Sequence, residues 1–291
     1  MKEIRSTEKP IQKVTEANLG EVFGLELVKS EFPIGSMRID TLAFDPEARS
    51  FVIIEYKRDK NSSVVDQGYA YLSLLLNNKA DFLLEYNENK NPPLKRDSVD
   101  WSQSKVIFLS PEFTKYQRQA INFRDLPIEL WEVKQFENGL FAFDKLESPE
   151  TSESITKVSG KSEVVQKVSR EIKVYSEEDH LAGKPEEIRM LYEDLKQQVL
   201  SLGAGIELRP KKLYIAFVAR ANFTEFVIQQ SRIRLYVDAR LGELDDPLKL
   251  ARDVSNKGHW GTGNYEVDVA PNDNIEYVVS LIRQSFLKHT K

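Results

Sequence analysis

The stretch RIDTLAFDPEARSFVIIEYKR, residues 38–58, decides the fold of the first half of this 291-residue chain. Its second part, FVIIEYKR, is a nearly continuous apolar and β-branched run, which is typical of a strand buried on both faces. Its first part, RIDTLAFD, alternates apolar and polar residues, as a half-buried strand does. Pro46, with a charged residue on either side, predicts a turn between them. The stretch therefore predicts two neighbouring strands of one sheet.

Three charged residues of this stretch would meet in such a pair of strands. Asp40 lies near the middle of the first strand, and Glu55 and Lys57 lie at the far end of the second. Residues two apart in a strand point to the same face, so Glu55 and Lys57 project together. Two carboxylates beside an ammonium group can hold Mg²⁺ or Mn²⁺ and orient or deprotonate a water that attacks a phosphate. The alternative is a surface aspartate beside a solvated Glu–Lys ion pair, because exposed ion pairs are common and nearly neutral in energy.

The segment that follows changes to the period of a helix, from residue 63 to about residue 84. Gln67 and Tyr71 are four residues apart and therefore share one face of this helix. That face would point back over the sheet edge, where Gln67 could contact a phosphate or a metal-bound water and Tyr71 the cleaved strand. Arg58 is a candidate phosphate contact, and ordinary solubilising charge is the alternative.

The surrounding sequence predicts further strands and helices around these two strands. Residues 14–25 and 113–126 favour helices, residues 26–34 and 104–111 favour strands, and residues 128–143 favour a hairpin that turns at Asn138-Gly139. This order predicts an α/β fold with a mixed sheet flanked by helices.

The second half of the chain predicts a separate α+β domain. Residues 148–171 are rich in Ser, Thr, Glu and Lys and poor in large apolar groups, so a linker is expected, or a short helix in its second half. The predicted domains are therefore residues 1–147 and 172–291. Within the second, the loop around Trp260 could shape a ligand or base-stacking site, or could be a glycine-rich turn with its tryptophan in the core.

Composition excludes several functional classes. The chain has 41 basic and 46 acidic side chains, a formal net charge of −5, which argues against a dense basic coat and leaves a local basic groove open. It has no cysteine, so disulfides, thiolate catalysis and cysteine zinc sites are excluded, and its three histidines lack metal-ligand spacing. No signal peptide and no apolar run near the ~20 residues of a membrane span is found, so a cytoplasmic protein without a membrane partner is expected.

The series R-I-D, E-Y-K and Q-x-x-x-Y resembles the PD-(D/E)XK nuclease superfamily, in particular its RecB-like branch, over about residues 10–147. The resemblance implies a restriction-endonuclease-like mixed sheet for this domain. It also implies that Asp40 and Glu55 are metal ligands, that Lys57 is the catalytic lysine, and that Gln67 and Tyr71 act on the substrate side.

Two details of the resemblance concern the N-terminal helix and the family's proline. Many members add a metal-binding carboxylate from the first helix, and here Glu16 and Glu21 are both candidates that spacing does not separate. The proline before the family's aspartate is absent, and Ile39 takes its place without touching the chemistry.

The resemblance implies a nuclease that depends on Mg²⁺ or Mn²⁺ and hydrolyses phosphodiester bonds in DNA, with RNA as the alternative substrate. A non-catalytic module that binds nucleic acid or a protein on the same fold is the alternative function. The C-terminal part is similar to a domain of unknown function found behind such nuclease-like domains. It could contribute substrate choice, regulation or assembly into a homodimer.

Overall fold

The computed structural model describes residues 3–4, 7–35, 37–57, 63–123, 125–147, 154–155, 162–256 and 263–290. The chain divides into two compact units, Met1–Val174 and Tyr175–Lys291. Among the residues described, no helix combines the length and the apolar composition that crossing a lipid bilayer requires.

The described residues of the first unit form a mixed seven-stranded sheet with helices on both faces. Its strands are β1 (Glu3–Ile4), β2 (Glu26–Ile34), β3 (Met37–Asp45), β4 (Ser50–Tyr56), β5 (Lys105–Ser110), β6 (Ile128–Phe136) and β7 (Phe141–Lys145). They lie in the order β1-β6-β5-β4-β3-β2, with β7 paired to β6. The neighbours β4, β5 and β6 run parallel, whereas β2, β3 and β4 alternate in direction. This architecture confirms the predicted α/β class.

The described residues of this unit form six helices. They are α1 (Glu8–Ala17), α2 (Leu19–Phe23), α3 (Val64–Asn77), α4 (Lys79–Asn89), α5 (Lys115–Ala120) and α6 (Glu163–Glu171), with short 3₁₀ turns at Arg96–Ser98 and Trp101–Gln103. The helix expected over residues 63–84 is thus two helices, because Asn78 ends α3 with its side-chain amide donating to the Leu74 carbonyl at 2.7 Å. The helix expected over residues 113–126 is shorter, because the chain leaves helical geometry after Ala120 and buries Ile121 in the core.

Strand β4 is buried on both faces, as its apolar run predicts. Phe51 and Ile53 pack in the core beneath α3 and α4, while Val52 and Ile54 pack in the core beneath α1 and α2. All four side chains have no exposed area. Each such side chain contributes roughly 1.5–3 kcal/mol through burial, so β4 fixes the position of the residues at its end.

Helix α6 lies in the segment that the composition assigned to a linker. Val168 is fully buried and Val165 nearly so, both in the core shared with α3, and Ile172 continues the same apolar face. An ion pair of 2.7 Å joins Lys79 to Glu171. The apolar spacing of these few residues outweighs the polar composition around them, so the alternative of a helix in the second half is the one found.

The second unit is an antiparallel sheet with helices packed on one face. Its strands are β8 (Glu207–Pro210), β9 (Ile215–Val218), β10 (Asn222–Ile228), β11 (Ile233–Val237), β12 (Arg252–Asp253) and β13 (Tyr265–Val269), in the order β12-β13-β11-β10-β9-β8. Its helices are α7 (Glu177–Leu181), α8 (Glu186–Leu200) and α9 (Ile275–His289). The predicted α+β class is confirmed. The prediction about Trp260 lies outside the described residues.

Candidate active site

Asp40 on β3 and Glu55 on β4 lie side by side, because the antiparallel register pairs Thr41 with Ile54. The backbone amide of Asp40 donates a hydrogen bond to Glu55 Oε1 at 3.2 Å. The backbone amide of Tyr56 donates to Asp40 Oδ2 at 3.1 Å. Both carboxylates are therefore held by main-chain groups of the same two strands.

The negative charges of Asp40 and Glu55 are only partly balanced by the positive charge of Lys57. Burial, reinforced by the neighbouring charge of Asp40, raises the pKa of Glu55 from 4.5 to about 7. Burial also raises the pKa of Asp40. The positive charge of Lys57 lowers the pKa of both groups, but by less than burial raises it. A bound cation would remove this imbalance, because it favours the ionised form of each carboxylate.

Lys57 lies directly after β4 and is held beside β5. Its backbone amide donates to the Leu109 carbonyl at 2.7 Å. Its Nζ lies 5.7 Å from the centroid of the Phe108 ring, within the range of a cation–π contact. Phe108 is the residue of β5 that pairs with Glu55 in the parallel register. Lys57 is thereby kept near Glu55, as the two-residue spacing predicts.

Helix α3 brings Gln67 and Tyr71 to the same place. Gln67 Nε2 donates to the Tyr71 hydroxyl at 3.5 Å. That hydroxyl is hydrogen-bonded to the Glu55 carboxylate, which stabilises its ionised form, and burial raises the pKa of Tyr71. The helix packs closely on the sheet at Gly68, where an added Cβ would overlap the Ile128 side chain. The structure thus places Asp40, Glu55, Lys57, Gln67 and Tyr71 together.

The remaining predicted residues divide into three cases. Glu16 on α1 accepts a hydrogen bond at 2.6 Å from the hydroxyl of Thr41, the residue next to Asp40. Glu21 on α2 is exposed. Arg58 lies outside the described residues. Of the two N-terminal carboxylates, Glu16 is the one whose side chain contacts β3.

Sequence reasoning missed a set of polar residues on the α1 side of β3. Gln12 Nε2 donates to the Asp40 carbonyl and to Glu16 Oε1, each at 3.1 Å. The Thr41 hydroxyl also lies 3.1 Å from the Tyr56 hydroxyl. Gln12 and Glu16 are four residues apart on α1, so their spacing could have identified Gln12 as a neighbour of the candidate carboxylate Glu16.

The carboxylate oxygens of Asp40 and Glu55 suit a hard cation that takes only two carboxylates from the protein. Over the described part of the chain, no group of three or more His, Asp or Glu side chains is arranged to hold a metal ion. Mg²⁺ is commonly held by one or two carboxylates and completes its coordination with water and substrate phosphates. Asp40 and Glu55 fit such an ion in their chemistry, and the magnesium or manganese site stays a prediction.

A relative of nearly the same length defines the family. An uncharacterized protein of Haemophilus influenzae is 51% identical over 278 residues, which covers 96% of this chain and 92% of the relative. The chain belongs to the same family as this protein. Residues 177–289 match the family model described as a domain of unknown function, DUF5655, which confirms the C-terminal resemblance.

Two solved structures show weak similarity to the chain. A repair endonuclease from Pyrococcus abyssi has a TM-score of 0.27 at 19% identity and covers 41% of this chain and 44% of its own. SfsA of Pyrococcus furiosus in complex with Ca²⁺ has a TM-score of 0.25 at 17% identity and covers 48% of this chain and 63% of its own. The chain spans less than two thirds of either structure, and at such scores neither informs on its activity.

Proposed function

We propose that this protein is a divalent-cation-dependent nuclease that hydrolyses phosphodiester bonds, with DNA as its substrate. The observation that carries the proposal is the convergence of Asp40 and Glu55 with Lys57 at one end of β4. Two carboxylates and an ammonium group at a partly open sheet edge match the needs of phosphoryl chemistry.

In this proposal, Asp40 and Glu55 would hold Mg²⁺ or Mn²⁺, which supplies Lewis-acid polarisation of the phosphate when bound. Lys57 carries the positive charge that faces a non-bridging phosphate oxygen, where charge develops in the transition state. The reaction adds water across one P–O bond: the hydroxyl joins phosphorus, and a proton goes to the departing oxygen. The Tyr71 hydroxyl favours the ionised form of Glu55 through its hydrogen bond, and Gln67 orients Tyr71.

The direct test is incubation of the purified full chain with single-stranded and double-stranded DNA in the presence of Mg²⁺ or Mn²⁺. Cleavage is expected to require the cation and to fall at least 100-fold in Asp40→Asn and Lys57→Ala, in line with the loss of a charge-stabilising group. Lys95→Ala, which removes an exposed lysine elsewhere in the unit, serves as the control. Absence of cleavage, or unchanged cleavage in both site variants, would contradict the proposal.

A second candidate function is a non-catalytic nucleic-acid-binding module on the same fold. The observation that favours it is that each carboxylate already accepts a backbone hydrogen bond, from the amides of Asp40 and Tyr56. Isothermal titration with Mn²⁺ separates the two candidates. Oligonucleotide binding without Mn²⁺ binding and without cleavage supports the module, whereas Mn²⁺ binding that Asp40→Asn abolishes supports the nuclease.

A further inference from the structure

Tyr116 on α5 is an aromatic side chain placed almost entirely in solvent. Its exposed fraction is 84%, the largest of any large apolar side chain that the structure describes. Single exposed apolar residues are ordinary on protein surfaces, so exposure alone assigns no role to this one. Tyr116 differs from such residues in two respects. Its helix is anchored to the core, and that helix lies at the same edge of the sheet as the candidate site.

The short helix that carries Tyr116 is firmly attached to the unit. Thr114 and Gln117 form a capping box, with Thr114 Oγ1 accepting from the Gln117 amide at 3.2 Å and Gln117 Oε1 accepting from the Thr114 amide at 3.0 Å. Phe113 before the helix and Ile121 after it are both buried in the core. The tyrosine ring is therefore presented on a fixed backbone, which lowers the entropy that a contact with a ligand would cost.

The neighbouring basic residues of α5 differ in their partners. Arg118 forms an ion pair with Glu132 on β6, and Glu132 also accepts a hydrogen bond from the Phe113 amide at 2.9 Å. Lys115 is exposed and forms no ion pair with any residue that the structure describes. Lys115, the residue that precedes Tyr116 in the chain, thus offers a cation for a ligand.

The topology places α5 at the same edge of the sheet as the candidate site. Strands β4 and β5 are parallel neighbours, with Glu55 paired to Phe108, so both strands end at this edge. The chain leaves β4 into Lys57 and leaves β5 into α5. Helix α5 also packs against α3, which carries Gln67 and Tyr71.

We propose that α5 is a strand-binding element of this site, in which Tyr116 stacks on a nucleobase and Lys115 contacts a backbone phosphate of a single-stranded nucleic acid. A base must be outside a duplex to offer its face, which is why the ligand is single-stranded. Stacking accepts any base, and a lysine contact with phosphate carries no sequence information, so the element positions a strand without selecting its sequence. The inference rests on the proposed function, because that function supplies the reason for a strand to reach this edge.

The test measures binding separately from cleavage. Fluorescence anisotropy of labelled 15-nucleotide DNA and RNA strands is recorded with the full chain in EDTA, at several salt concentrations. Tyr116→Ala is expected to weaken binding about 10-fold, which corresponds to about 1.4 kcal/mol, and Tyr116→Phe is expected to retain the affinity because it keeps the ring. Lys115→Ala is expected to lower the slope of log affinity against log salt by about 0.7.

The outcomes that would contradict this inference differ from those that would contradict the proposed function. Lys95→Ala removes a matched exposed lysine on the segment that leads into the opposite end of β5, and it is expected to leave both affinity and slope unchanged. Equal weakening in Tyr116→Ala and Tyr116→Phe, unchanged binding in Tyr116→Ala, or no binding by the unaltered chain overturns the inference. Asp40→Asn that loses cleavage while keeping wild-type binding shows that the acidic pair and α5 act separately. The tighter of the DNA and RNA arms identifies the sugar that the element prefers.

Discussion

The backbone amide of Asp40 donates a hydrogen bond to the carboxylate of Glu55 at 3.2 Å. One acidic residue of the candidate site is therefore fixed by the main chain of the other, and neither can move without disturbing the β3–β4 ladder. Such a constraint holds two like charges together at a cost in stability, which is a common feature of functional sites. The cost can be measured.

Replacement of Glu55 by Gln is expected to stabilise the protein at high pH in the absence of divalent cations. The folded-state pKa of Glu55 is raised from 4.5 to about 7, so the stability contributed by its protonated form is complete below pH 4.5 and is lost as the pH rises through 7. Glutamine keeps the acceptor oxygen and cannot ionise. We expect a gain on the order of 2–3 kcal/mol at pH 8 that shrinks toward zero at pH 4.

Urea denaturation of Glu55→Gln and the unaltered chain in EDTA, at pH 4, 7 and 8, measures this difference. A gain that is the same at every pH would contradict the prediction, since it would arise from packing. Addition of Mg²⁺ at pH 8 is expected to stabilise the unaltered chain and not the variant.

Thr41→Val is expected to destabilise the first unit by about 1–3 kcal/mol. The Thr41 side chain has no exposed area, donates to Glu16 at 2.6 Å and lies 3.1 Å from the Tyr56 hydroxyl. Valine has a similar shape and removes both contacts, leaving polar atoms of Glu16 and Tyr56 without this partner. Thr41→Ser keeps the hydroxyl and is the matched control, so a loss of stability in the serine variant as large as in the valine variant would refute the hydrogen-bond explanation. Thermal unfolding followed by circular dichroism is sufficient.

Gly68→Val is expected to lower stability by about 1–3 kcal/mol through overpacking between α3 and the sheet. An added Cβ at this position overlaps Ile128 and lies 3.5 Å from the Phe108 ring. The repacking is also expected to shift Gln67 and Tyr71, so the proposed cleavage of DNA should fall further than the loss of folded protein accounts for. Gly20→Ala on α2 is the control, because its added Cβ meets nothing nearer than the Leu25 carbonyl at 4.0 Å. Chemical denaturation that finds Gly68→Val as stable as the unaltered chain would contradict the close packing.

Asp268→Asn is expected to destabilise the second unit above pH 4, by an amount that shrinks as the pH falls below 4. Burial alone would raise the pKa of Asp268, but hydrogen bonds from Arg234 and Arg252 lower it below 3.8. Stability from a carboxylate with a lowered pKa is present above its unfolded value and is lost as the pH falls through the folded value. Because the ion pairs are partly exposed, the expected loss at pH 7 is about 1 kcal/mol.

Denaturant titrations of Asp268→Asn at pH 3, 5 and 7 check both the size and the sign of this effect. Asp273→Asn, at an exposed turn beyond β13, is a control for the general effect of removing a negative charge. A deficit that grows as the pH falls would be the opposite of the expected behaviour.

The strands around the site could be predicted from sequence because their signals are local. The β-branched run before Glu55 specifies a strand buried on both faces, and the two-residue and four-residue spacings place Lys57 beside it and Tyr71 beside Gln67. The structure has all of these. The family resemblance named the same residues, but their roles as metal ligands and catalytic groups stay predictions.

Contacts between residues far apart in the chain were not accessible in the same way. Gln12 reaches the Asp40 carbonyl across 28 residues, and nothing in the local pattern of either segment specifies that contact. Glu16 lies on α1 and Glu21 on α2, so the choice between them depends on how these two helices pack on the sheet, which spacing along the chain cannot give. Helix α6 was one of two alternatives in the sequence for a related reason. Most of its residues are polar, and the role of its apolar face is clear only from its packing against α3.

The position of α6 has a consequence for how the protein is made. Val165, Val168 and Ile172 complete a core whose other members lie at residues 28–155. A ribosome must therefore synthesise the chain as far as residue 172, well beyond the end of β7 at Lys145, before that core is covered. A chain that stops at residue 147, where the change of composition begins, would leave this surface of α3 in contact with water and prone to aggregate. A chain that continues to Val174 includes α6, which covers this surface. Comparing the soluble yield of these two lengths would show whether the first unit can exist as an independent folding unit.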